Sequence, residues 1–214
     1  MSAQGEMILS HENETLVREI QKSFLNLLDE NLPKSLIEKT KQDKVIKILS
    51  ICCGRFREAK SIFDYFQAQF KNKLKLYGID NDEELLKLAK EEEVIKNNRD
   101  FVFLKLADAS AIENYKEWFK DGLFDLVIVR HPEITFNTEV FVKIFSICPI
   151  LLTGSGYLFV TTHFENEKEV LKLLLQLNKF NLIVDIENKQ SPMFKVKGED
   201  RFFDKFLLLA TNPV

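Results

Sequence analysis

The chain has 214 residues, 45% of them hydrophobic and 29% charged, proportions of a globular protein that buries its core without metals or disulfides. Its formal net charge of −3 leaves no excess of Lys or Arg, so no general nucleic-acid-binding surface is expected. No stretch of about 18 apolar residues occurs, so no transmembrane helix is expected either.

Leu16, Val17, Ile20, Phe24, Leu27 and Leu28 recur at spacings of three and four, which predicts an amphipathic helix. Pro33 marks its end or a kink, and Lys39 to Lys44 reads as a polar connection. Val45 to Cys52 predicts a strand bounded by Gly54. Phe56, Ala59, Ile62, Phe63, Phe66 and Phe70 then fall on one helical face. A short strand over Leu74–Ile79 leads into a helix over Asp82–Lys96, whose acidic start suits the helix dipole. Phe101–Leu106 reads as a strand, and Ile112–Phe119 as a short helix closed by Gly122. Leu123–Val129 is almost wholly apolar, as a strand covered on both faces should be. Val140, Phe141, Ile144 and Phe145 define a further helix. Tyr157–Thr162 is a fifth strand, and Val170–Leu177 lies in a Leu-rich helix. Leu182–Ile186 and Phe202–Ala210 close the chain as two strands, joined by a polar loop from Glu187 to Asp200.

Strand and helix alternate five times, which predicts a parallel sheet with helices on both faces. A parallel return to the last strand would need a helical crossover, and the polar loop before it has no helical pattern. The expected fold is therefore an α/β three-layer sandwich with a mostly parallel seven-stranded sheet, an antiparallel last strand and an added N-terminal helix. Residues 1–44 form the expected helical extension, and residues 45–214 the expected single globular unit.

The three cysteines, Cys52, Cys53 and Cys148, lack a spaced framework and read as free thiols in apolar surroundings. His11, His131 and His163 have no zinc-ligand spacing. Met1 to Ser10 has no basic region followed by an apolar stretch, so no signal peptide is expected and the expected compartment is the cytoplasm. Lys195 and Lys197 read as part of a solvated loop.

In an open parallel sheet, ligands bind beyond the carboxyl ends of the strands. There the first strand ends in Ser50-Ile51-Cys52-Cys53-Gly54-Arg55-Phe56. This segment resembles the first motif of class I S-adenosylmethionine-dependent methyltransferases, an acidic residue followed by Gly-x-Gly-x-Gly. Gly54 matches the middle glycine. Cys52 stands for the first glycine, Phe56 for the third and Ser50 for the acid. The second strand ends in Leu76-Tyr77-Gly78-Ile79-Asp80, where the family places a carboxylate that accepts from both ribose hydroxyls. Asp80 could instead cap the helix that follows. After the third strand, Asp108 and Ala109 of Leu106-Ala107-Asp108-Ala109-Ser110 match positions that meet the adenine ring, though Asp108 could equally cap a helix.

The resemblance implies S-adenosyl-L-methionine as cofactor, with Ser50, Cys52, Gly54, Arg55, Asp80, Asn81, Asp108 and Ala109 around it. It implies methyl transfer to a small molecule or a protein. The alternative is a non-catalytic relative that binds the cofactor or a partner. Methyltransferases of exocyclic amines carry Asn/Asp-Pro-Pro-aromatic after the fourth strand. This chain reads Arg130-His131-Pro132-Glu133, which disfavours that chemistry. His131 stands where an acceptor would approach the methyl group and is the candidate general base. A histidine that merely turns the chain at a strand end is the other reading. The N-terminal helix over Leu16–Leu28 could close over the cofactor or simply pack on the sheet.

Overall fold

A computed structural model describes residues 14–41, 45–69, 74–196 and 199–212. Expectations about Met1–Ser10, Phe70, Lys197 and the end of the polar connection at 42–44 lie outside the described residues. The helices are α1 (Glu14–Asn31), α2 (Lys34–Lys41), α3 (Glu58–Gln69), α4 (Glu83–Glu91), α5 (Glu93–Asn97), α6 (Thr138–Leu151) and α7 (Glu165–Leu177). The strands are β1 (Ile46–Ile51), β2 (Leu74–Asp80), β3 (Val102–Leu106), β4 (Phe124–Arg130), β5 (Leu152–Thr162), β6 (Asn181–Glu187), β7 (Met193–Val196), β8 (Glu199–Phe202) and β9 (Phe206–Thr211).

Seven strands form one sheet in the order β3-β2-β1-β4-β5-β9-β6. The first five are parallel, and β9 runs antiparallel between β5 and β6, as the missing crossover helix requires. Alternation along β1 divides the core. Ile46 and Ile48 join one apolar cluster with α1, α3 and α4, while Leu49 and Ile51 join the other with α6 and α7. Every residue of β1 is buried, because helices cover both faces.

α1 packs on the α3 side. Phe24 and Leu28 are fully buried, Phe24 meets Phe159 edge-on at 5.7 Å, and the Ser61 hydroxyl donates to the Gln21 carbonyl at 2.7 Å. Truncating a buried Phe such as Phe24 to Ala would cost about 3–5 kcal/mol, so this helix is integral to the core.

Several elements differ from the sequence reading. Lys39–Lys41, read as part of a polar connection, end helix α2, and β5 begins at Leu152, ahead of the expected Tyr157. The helix expected over Asp82–Lys96 breaks at Glu92, which adopts an extended backbone and reaches Arg55 at 2.9 Å. The helix expected over Ile112–Phe119 is two 3₁₀ turns, Ile112–Tyr115 and Trp118–Asp121. Tyr115 is pinned there by a hydrogen bond to the Ala109 carbonyl. The Glu187–Asp200 loop contains the β7–β8 hairpin, whose strands are too short and too charged to show a strand period. The last strand begins at Phe206 because Phe203 and Asp204 turn inward first, both buried, with Asp204 at φ +50°.

Candidate functional site

A cavity of about 280 Å³ opens at the carboxyl ends of β1, β2 and β4, where this topology places a ligand. Its floor is the loop from β1 to α3. Cys52, Gly54 and Phe56 all have left-handed backbone, with φ of 55°, 51° and 55°. Three alternating glycines would adopt that path without strain. A side chain there costs about 1–2 kcal/mol per residue. The loop thus follows, with one glycine, a path that three alternating glycines would adopt without strain.

Two features hold it in that path. Phe56 is fully buried in the core beneath. Gly78 on β2 makes room for it: a Cβ at Gly78 would lie 2.9 Å from the Phe56 ring and 3.0 Å from Cys53 Sγ. The Cys53 amide also donates to the Ile79 carbonyl at 3.2 Å. Cys52, by contrast, is only half-buried and lines the cavity. Burial, then the nearby Asp80 carboxylate, push its thiol up to about 12, which disfavours the thiolate.

Asp80 accepts from the Gly54 amide at 2.7 Å through Oδ2 and from the Asp82 amide at 2.9 Å through Oδ1. It does not cap α4, because Asp82 does, accepting from the Leu85 amide at 3.1 Å. Each Asp80 oxygen keeps a second lone pair, which matches the two donors of a ribose diol. Asn81 and Arg55 also line the cavity, and Arg55 is held by Glu92.

Ser50, Asp108 and Ala109 do not line this cavity. The buried Ser50 donates its hydroxyl to Glu58 at 2.6 Å. Asp108 is exposed and accepts from the Ser110 amide at 2.8 Å, an interaction that lowers its pKa. Ala109 is buried, its carbonyl taken by the Tyr115 hydroxyl. The adenine assignment of these two residues rests on resemblance alone.

The opposite wall is a buried ion cluster. Arg130 donates to Asp204 through Nε at 3.1 Å and through a terminal nitrogen at 2.6 Å, and contacts Glu58 at 3.5 Å. Its guanidinium lies over the Phe24 ring, 4.3 Å from the centroid. Thr161 donates to Asp204 at 2.6 Å. Burial alone would raise the Asp204 carboxyl, but Arg130 and His131 overcome it and hold it well below the usual carboxylate range. Glu58 shows the reverse balance: burial raises its pKa against the pull of Arg130 and Ser50.

His131 ends β4 with φ +49°. Its Nε2 lies 3.1 Å from the Asp204 amide and 2.9 Å from Asp204 Oδ1. The first contact has the amide donating to the ring, and the second needs a proton on the ring. In either form that nitrogen is committed to Asp204. The ring stacks on His163 at 3.9 Å. Burial lowers the pKa of both histidines, and His131 lowers that of His163 further.

Glu58, Asp204 and Phe203 had no role in the sequence reading. Glu58 follows the loop directly and carries no signal of its own. Asp204 gives no local signal, because its partners Arg130 and His131 are more than 70 residues away.

No family model and no curated protein matches the chain by sequence. Solved structures do match by shape. The chain is similar to magnesium protoporphyrin IX methyltransferase of Synechocystis PCC 6803, solved with bound S-adenosylmethionine. Identity is 15%, coverage 94% of this chain and 85% of that one, and the TM-score 0.54. It is similar to the [4+2]-cyclase SpnF, with 14% identity, coverage of 85% and 80%, and a TM-score of 0.60. It is also similar to TrmN of Thermus thermophilus, with 14% identity and a TM-score of 0.53 over 84% of this chain, but it spans only 47% of that protein. These likenesses establish the fold: the chain has the Rossmann-like architecture of class I S-adenosylmethionine-dependent methyltransferases.

Proposed function

We propose that the protein binds S-adenosylmethionine and transfers its methyl group to a small molecule or a protein. One observation carries the reading. The loop after β1 keeps left-handed backbone at Cys52, Gly54 and Phe56, and fastens Gly54 to an Asp80 carboxylate with lone pairs to spare. In this reading Gly54, Arg55 and Asn81 border the cofactor, Asp80 takes its ribose, and Cys52 flanks its amino-acid end. The cofactor supplies an electrophilic methyl group. The chain supplies position, which is what an in-line displacement needs most. His131 serves as a wall residue held by Asp204, since its Nε2 is engaged and burial lowers the pKa of the ring.

Among the described residues no helix is long and apolar enough to cross a membrane. With three free cysteines and a net charge of −3, we place the protein in the cytoplasm, without a general affinity for nucleic acid.

The second reading is a non-catalytic protein that binds the cofactor or a partner. It is favoured by the Cys52 side chain in the cavity and by the ion cluster on the opposite wall. Mass spectrometry of the freshly purified protein tests for carried S-adenosylmethionine or S-adenosylhomocysteine. At 100 times its dissociation constant either ligand would add about 2.7 kcal/mol of stability. No response in calorimetry and thermal melts at millimolar ligand would refute both cofactor-binding readings.

A further inference from the structure

We propose that the Glu58 carboxylate receives a primary ammonium group in this cavity, and that this is the ammonium on the cofactor's amino-acid end. The second part rests on the function proposed above.

The argument begins with charge. Glu58 and Asp204 are carboxylates with side chains 6% and 0% exposed, and Arg130 is the cation between them. His131 and His163 are shifted toward the neutral form by burial. Arg130 gives Asp204 its two closer hydrogen bonds, of 3.1 and 2.6 Å, and gives Glu58 one contact of 3.5 Å. A charge-assisted N–H···O bond is normally about 2.7–2.9 Å long. The Ser50 hydroxyl satisfies Oε1 at 2.6 Å but brings no charge. Glu58 is therefore a buried carboxylate on the cavity wall that shares Arg130 with Asp204 and takes the longer contact. Buried charges without a close partner are costly, and a cation entering the cavity removes that cost.

Geometry assigns the cation to this carboxylate and not to its neighbours. The remaining lone pairs of Asp80 serve the ribose in the reading above, and Asp82 caps α4. Glu58 stands in the first turn of α3, at the opposite end of the loop from the Gly54–Asp80 bond. Ser50, at the position where the resemblance expects an acid, is uncharged and hands its hydroxyl to Glu58. The missing carboxylate is thus supplied from the next helix.

Calorimetry with three ligands tests this. They are S-adenosylhomocysteine, its analogue with the α-ammonium replaced by hydrogen, and 5′-methylthioadenosine, which keeps adenine and ribose but lacks the amino-acid end. Wild-type protein should bind S-adenosylhomocysteine at least about tenfold tighter than the deaminated analogue, the worth of a hydrogen bond between charged groups. E58Q should lose about tenfold for S-adenosylhomocysteine and less than about twofold for the other two. If E58Q does not fold, S50A keeps the carboxylate and removes only the hydroxyl that orients it. Its loss should be smaller and confined to S-adenosylhomocysteine. Wild-type protein that binds all three ligands equally, a uniform loss in E58Q, or unchanged binding in E58Q or S50A would overturn the role of Glu58 and leave cofactor binding standing. Wild-type protein that binds none of the three would overturn both.

Discussion

Replacing Cys52 isolates the strain stored in the loop. At φ +55° a side chain costs about 1–2 kcal/mol, which glycine removes and alanine keeps. Glycine in turn loosens the unfolded chain by about 0.4–1 kcal/mol. It also forgoes burial of one further carbon, worth about 0.4 kcal/mol at a half-buried site. The balance favours Cys52→Gly over Cys52→Ala by about 0.5 kcal/mol, or a degree or two in Tm for a domain of this size. At an exposed helical position such as Lys87 on α4, the same pair should differ by about 1 kcal/mol in the opposite sense. Equilibrium unfolding in guanidinium of the four variants reads the two gaps directly. Equal gaps of the same sign would refute the strained backbone. The glycine variant should also bind S-adenosylhomocysteine severalfold tighter, because the cavity loses a side chain. Weaker binding would mean that the thiol belongs to the pocket and the loop is specialised.

Asp80→Ala should abolish measurable binding of both S-adenosylhomocysteine and 5′-methylthioadenosine, since two charge-assisted hydrogen bonds of about 1.5–3 kcal/mol each are lost. Asp108→Ala, outside the cavity, should change either affinity by less than about threefold; equal effects would contradict the ribose assignment. Asp204→Ala leaves Arg130 buried without its main partner and should cost about 3–5 kcal/mol in denaturant unfolding, whereas a loss under about 1 kcal/mol would mean that the cluster is solvated. His131→Ala should bind S-adenosylhomocysteine within about threefold of wild type, and normal turnover, once an acceptor is known, would make the residue purely structural. Burial depresses the pKa of His163 in the folded protein, so the unfolded chain binds more protons below about pH 6.5. The histidine contribution is therefore fully present above that pH and lost as pH falls toward the folded value. Urea midpoints should fall more steeply between about pH 7.5 and 5.5 in wild type than in His163→Gln; equal slopes would show that His163 is solvated.

The sheet was legible because its signals are local. An almost wholly apolar run such as Leu123–Val129 can only be a strand covered on both faces, and the missing helix before Phe206 reveals the antiparallel return. The β7–β8 hairpin was not legible, because four-residue strands carrying Lys195, Asp200 and Arg201 show no usable alternation. At the site, Gly54 and Asp80 were readable from the chain ends of two neighbouring strands. The conformation of Cys52 and Phe56 was not. Left-handed backbone is the preserve of glycine, so nothing in the chain marks it at Cys52 or Phe56, and the Phe56 ring finds its room only through the space at Gly78 on another strand. The ion cluster was invisible because Glu58, Arg130 and Asp204 come from three distant parts of the chain.

That cluster also bears on the acceptor. A side-chain amide or carboxylate after β4 could accept hydrogen bonds from an exocyclic amine, but Arg130 occupies that position and a guanidinium only donates. Its donors are in any case directed at Asp204 and Glu58. His131 adds no acceptor at Nε2, which Asp204 occupies. A planar amino group entering from this side would find its acceptors at carboxylates such as Glu58 and Glu133, not at Arg130 or His131 Nε2. Arg130 and His131 therefore give no grip on such a group, and its recognition would fall to other side chains of the cavity. Similarity in shape to a [4+2]-cyclase makes the same point from outside: the architecture fixes where a ligand sits, and the side chains around the cavity decide what is done to it.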